Sequence, residues 1–260
     1  LEQMDALSEE LSPLIGGASA LQRARFFGAQ TKLNLRRERY LPSEATLRFA
    51  RINLETCLGG DLHEDYPYAL FEYGFVLVLA GALSEAQGAL TSAHSLLRKL
   101  GDAAQQVRCL SYLTICARLL GDVDRTQELA LESEASARAA EMREYIAAAL
   151  ASQGWVMLSR GEQERARRQV LEALDIWTEF GFYPFEWLAV LPLLRVSLLE
   201  RDLDAAIRCA RALLAPRQSR LPGDASLGLS RALDDYDRGE AEAAWRTLDR
   251  VLEELPEGYS

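Results

Sequence analysis

The sequence is short of the residues that most catalytic and metal sites draw on. Two histidines, His63 and His94, and two lysines, Lys32 and Lys99, stand in 260 residues. His63 sits in GGDLHEDYP among Asp61, Glu64 and Asp65, a group from which a metal cluster can be drawn. The same residues also read as a polar turn ahead of a helix at 66–80, with acids at the helix start where bare N–H groups attract them. His94 is alone on a helix and is expected to be structural. The phosphate-loop, dinucleotide, zinc-protease and nucleophile-elbow patterns are all absent. No nucleophile is paired with a base, so no catalytic residue, metal or cofactor is expected and the chain is read as a non-enzyme.

Cysteine is also sparse. Cys57, Cys109, Cys116 and Cys209 form no CxxC pair and are expected to be free thiols in an apolar core. No apolar run approaches the ~18 residues of a membrane span, and the first residues show no signal-peptide pattern. Together these point to a cytoplasmic protein without a membrane partner. The net charge of −10 disfavours direct contact with nucleic acid. A chain that opens on Leu1 is expected to belong to a larger protein. Strand signals are lacking too.

What is present is a repeat. GALSEA begins at 81, GDVDRT at 121, GEQERA at 161, RDLDAA at 201 and RGEAEAA at 238. Gly81, Gly121 and Gly161 are 40 apart, Arg201 takes the next slot, and Gly239 follows. A small residue stands five after each point: Ala86, Thr126, Ala166, Ala206 and Ala244. Seven later the first three of these are followed by Ala93, Ser133 and Ala173. Glycine closes one helix in the left-handed conformation, an acid or hydroxyl opens the next, and the small residue lets the two helices approach. Apolar residues keep helical spacing, as in Ala166, Val170, Ala173, Leu174 and Trp177. About six antiparallel helix pairs are expected, with inner turns near 41, 81, 121, 161, 201 and 239, in one domain over 1–260. The N-terminal part keeps the phase less well: Ala6 matches Ala86, but the slot of Ala93 holds Pro13.

The pattern resembles the tetratricopeptide repeat (TPR), whose hallmark is a glycine, a second glycine seven later at the turn, and small residues five and twelve beyond. Gly74, Gly81, Ala86 and Ala93 match it, as do Gly154, Gly161, Ala166 and Ala173. The period of 40 exceeds the usual 34 residues, a lengthening of roughly 9 Å of helix shared within each pair. Long-helix repeats of this kind occur in bacterial maltose-regulator-like transcription activators and in multidomain ATPase/nucleotide-cyclase signalling proteins. The stretch 185–214 looks like the latter. The resemblance implies an all-α, right-handed superhelical solenoid. Its first helices would line a concave groove, bringing Tyr68, Phe71, Phe75, Arg108, Ser111, Arg118, Trp155 and Arg195 to the surface that meets a partner. Aromatics and arginine are frequent hot-spot residues; the apolar ones read equally well as packing between neighbouring helices, and the arginines discriminate better as groove residues, because burying an arginine unpaired is costly.

The function so implied is a non-catalytic interaction or sensor module of a bacterial cytoplasmic signalling or transcription-regulatory protein. It would bind a protein or peptide segment, or a regulatory domain of its own chain. The alternative is a small-ligand or signal-peptide receptor whose superhelix closes on binding. Self-association is a further expectation. Residues 23–51 carry eight basic side chains against two acids, and 234–257 carry nine acids against three arginines, so association through these ends should be salt-sensitive. The aromatic stretch WTEFGFYPFEW at 177–187 reads as a joint between repeats, with Gly181 and Pro184 marking the turn.

Overall fold

The recurring turn residues of the sequence become turns at a fixed interval. In the computed structural model, which describes residues 10–259, positive φ angles occur off the interval at 39, 40, 223, 239 and 258, and between 61 and 201 they occur at 61, 81, 101, 121, 141, 161, 181 and 201, one every twenty residues. Half of these are the expected turns within pairs; the other half join one pair to the next. Asp61, Glu141 and Arg201 adopt this conformation without being glycine, with φ of 58°, 55° and 61°. Arg201 lies over the Trp245 ring at 4.6 Å, a cation–π contact that offsets part of the backbone strain.

Between these turns run twelve helices: α1 (Ala20–Arg37), α2 (Glu44–Gly59), α3 (Tyr66–Leu79), α4 (Leu83–Leu100), α5 (Ala103–Leu119) and α6 (Val123–Ala139), then α7 (Arg143–Ser159), α8 (Gln163–Glu179), α9 (Trp187–Leu199), α10 (Leu203–Leu213), α11 (Ala225–Asp237) and α12 (Ala241–Glu254). The fold is therefore all-α among the described residues, a solenoid of six helix pairs. Ala6 lies outside the described residues. Pro13 opens a 3₁₀ turn at Ser12–Gly17. Caps follow the expected chemistry: the Asp122 and Asp202 carboxylates accept from the N–H groups of Arg125 and Ala205.

The eight small residues of the repeat, from Ala86 to Ala244, are all wholly buried. A Cβ placed on Gly154 of α7 would stand 2.5 Å from Cγ1 of Val170 on α8, so only glycine admits the crossing at this distance.

The described residues form two compact units that divide between Tyr112 and Leu113, inside α5. In the first, α1 packs on α2, α2 on α3 and α3 on α4. In the second, α9 is the central element. Its sequence WLAVLPLLRVSLL is apolar nearly all round, and it packs on α7, α8, α10 and α12. Pro192 lies inside this helix, which continues to Leu199.

The aromatic stretch before α9 is a joint. Trp177 is buried, donates from Nε1 to the Glu144 carbonyl at 3.0 Å and stacks on Tyr183 at 4.4 Å. Phe180 and Phe182 remain exposed, beside Arg143 and Arg217.

Glu141 is exposed and left-handed. Glu141→Gly should raise unfolding stability by about 1 kcal/mol, read as a higher urea midpoint at unchanged slope.

Candidate functional site

The eight residues picked out by repeat phase divide between the two units. In the first, Tyr68 on α3 is partly exposed and donates its hydroxyl to Asp102 at 2.9 Å. Phe71 and Phe75, one turn apart on α3, converge with Tyr112 of α5. The ring centroids of Phe75 and Tyr112 are 4.5 Å apart, and those of Phe71 and Tyr112 are 5.9 Å apart. Arg108 is half-buried, with an Nε that has no hydrogen-bond partner among the described residues. Ser111 is buried. Beside Tyr68 a cavity of about 390 Å³ opens between α1, α2 and α3, lined by Lys32, Arg36, Asn53 and Glu72 among others. The Glu72 carboxylate is largely buried, which raises its pKa, while Lys32 at 3.5 Å pulls it back.

The second unit holds Arg118, Trp155 and Arg195. Arg118 lies in the last turn of α5 and, contrary to the expectation of a groove-facing arginine, is completely buried. Its charge is met by main-chain oxygens. Nε donates to the Gly258 carbonyl at 2.7 Å, Nη1 to the Leu188 carbonyl at 2.7 Å and Nη2 to the Tyr259 carbonyl at 3.1 Å. The guanidinium also lies 5.4 Å from the ring of Trp155 on α7 and 5.4 Å from that of Trp187 on α9. Burial lowers its pKa to about 9, which leaves it charged at neutral pH. Arg195 is half-exposed and pairs with Asp249 of α12 at 3.5 Å.

The segment that meets Arg118 follows α12. Leu255 precedes Pro256 and is extended, as a residue before proline tends to be. A turn from Pro256 to Tyr259 then places Gly258 against the end of α5. Gly258 has φ +90°, and a Cβ there would stand 2.0 Å from the Arg118 carbonyl oxygen. Tyr259 stacks on Trp187 with centroids 4.6 Å apart. Three successive first helices, α5, α7 and α9, thus hold a short turn of main chain. Trp187, Gly258 and Tyr259 were not singled out from the sequence as site residues. Pro256 followed by Gly258 marks a helix end, but nothing local says where the segment goes.

His63 contacts Asp61 at 2.5 Å in an exposed turn. No group of three or more His, Cys, Asp or Glu side chains is placed to hold a metal among the described residues. The four cysteines are free and buried; burial pushes Cys109 and Cys209 up to about 12 and Cys116 to about 11. No helix of the described residues is long and apolar enough to cross a membrane.

Solved structures share the architecture. RapI in its apo form aligns with a TM-score of 0.57 at 14% identity, over 96% of this chain and 68% of its own. A Rap protein in complex with competence and sporulation factor gives 0.64 at 15%, over 89% and 63%. The apo quorum sensor NprR from B. thuringiensis gives 0.57 at 11%, over 97% and 82%. The chain has a TPR-like helical-repeat fold. At these identities the likeness extends to fold alone. No protein-family model and no curated protein sequence matches the chain.

Three variants test these contacts. Arg118→Ala should lower unfolding stability by on the order of 3 kcal/mol, since charge-assisted bonds to buried carbonyls are lost together. Arg118→Lys should restore little, because an ammonium lacks the planar fork and the ring stacking; urea denaturation measures both. For Glu72 the folded pKa lies above the unfolded one, so its ionised form opposes folding at neutral pH. That penalty fades as pH falls through the folded pKa toward the ordinary carboxylate range. Glu72→Gln should therefore melt above wild type at pH 7, with the difference shrinking toward pH 4.

Proposed function

We propose that the chain is a non-catalytic recognition module that binds a non-helical segment of protein along the first helices of its repeats. The single observation behind this reading is the Arg118–Trp155–Trp187 receptacle, which grips main-chain carbonyls and one aromatic ring. Such contacts suit a peptide segment and call for no reactive group. The neighbours in fold add support: one Rap protein was solved with competence and sporulation factor, and NprR is a quorum sensor. The proposed setting is a bacterial cytoplasmic signalling or transcription-regulatory protein, and the likeness of 185–214 to ATPase/cyclase-type tails belongs to the same proposal. The segment bound comes from another protein or from a regulatory domain of the same chain. Association of copies through the basic 23–51 and acidic 234–257 stretches would be weakened by salt.

A small-ligand receptor is the second reading, favoured by the cavity of about 390 Å³ beside Glu72, a size that suits a compact ligand.

Selection from a displayed library of random peptides, followed by hydrogen exchange of the complex, tests the first reading. Selected peptides should bind one per chain and protect amides of α5, α7 and α9. Protection confined to α1–α3 would favour the small-ligand site, and failure to select any binder would count against the proposal.

A further inference from the structure

We infer that residues 255–259 are a resident occupant of the Arg118 receptacle, and that the partner they stand in for is a non-helical segment that turns at a glycine followed by an aromatic residue. This deepens the peptide-binding reading and rests on it.

The contacts made by this segment are of a kind another chain can supply. Arg118 bonds to the carbonyls of Gly258 and Tyr259, and any peptide that makes the same turn presents such carbonyls. The demands on sequence are two. The residue against Arg118 must lack a Cβ, because one would meet the Arg118 carbonyl oxygen at 2.0 Å. The residue after it must be flat and aromatic to lie on Trp187, as Tyr259 does with an interplanar angle of 28°. Glu257 adds shape: its side chain fills the space over Gly121, where a Cβ would stand 2.6 Å from Glu257 Cδ.

An empty groove is disfavoured. Once the segment leaves, the buried Arg118 guanidinium keeps one of its three carbonyls, that of Leu188. A desolvated cation so exposed to loss of partners is costly. Exchange of one segment for another avoids that state, since the incoming carbonyls replace the outgoing ones. The segment is also short and non-helical. It leaves α12 at Leu255, so its release requires no helix to unwind. A tethered occupant competes at an effective concentration of about 1 mM. If its affinity equals that of a partner with an intrinsic Kd of ~10 µM, the partner's apparent affinity falls roughly 100-fold.

The test uses the full chain and a fluorescein-labelled peptide of sequence LPEGYS as probe. Gly258→Val expels the resident segment by steric overlap. Tyr259→Ala weakens it by removing only the stack on Trp187, and serves as the deciding variant if circular dichroism shows that Gly258→Val does not fold. The probe should bind the folded variants at least about 10-fold more tightly than wild type. A probe with valine at the glycine position should not bind them. Equal binding to wild type and variants, or no binding to folded variants, overturns the inference. Display-selected peptides that bind wild type and Gly258→Val equally would sink the inference and leave the peptide-binding reading standing. Failure to select from either chain would sink the reading itself.

Discussion

A guanidinium removed from water governs the second unit. Arg118 has no solvent to fall back on, so each of its donors must be met, and three separate elements supply the oxygen atoms or ring faces that do so. The consequences spread outward from that demand. α9 must present the Leu188 carbonyl and the Trp187 ring from its first turn, α7 must place Trp155 opposite, and the stretch after α12 must return to the end of α5. Each of these placements would be optional if the side chain were a leucine. A carboxylate would have met the charge with fewer elements; carbonyls meet it only by assembling several.

The helix pairs rest on a different constraint, the absence of bulk. Wholly buried alanine, serine and threonine at each crossing let backbones approach, and Gly154 goes further where Val170 Cγ1 would otherwise clash. Large side chains then fill the space beyond the crossing, as Trp177 does. Stability comes from the contact of long apolar faces, while the small residues set how near those faces come.

Much of this architecture was legible in the sequence because it depends on local chemistry repeated at a fixed spacing. Gly81, Gly121 and Gly161 announce their turns, and Ala86, Ala166 and Ala173 announce their crossings. Asp61, Glu141 and Arg201 do not, since a non-glycine residue in a left-handed turn looks like any exposed polar residue. Of the candidate site, the residue positions were legible and their surroundings were not. Repeat phase led to Arg118 and Trp155, and the structure brings them together. It could not show that Arg118 is buried, because its partners are main-chain carbonyls 70 to 141 residues away, which carry no sequence signature. Trp187 was read as part of a joint, and it is also a wall of the receptacle. Tyr68, Phe71 and Phe75 share an aromatic and polar surface on α3 whose neighbours, Tyr112 and Asp102, come from the next pair.

The even twenty-residue spacing of the turns gives the chain a parity. Helices at odd steps open a pair, and those at even steps close it. Loss or gain of forty residues would remove or add one whole pair and keep every later helix on its own side. Loss or gain of twenty would exchange first helices for second from that point onward. Growth and shrinkage of such a chain therefore has a natural unit, and it is the pair rather than the helix.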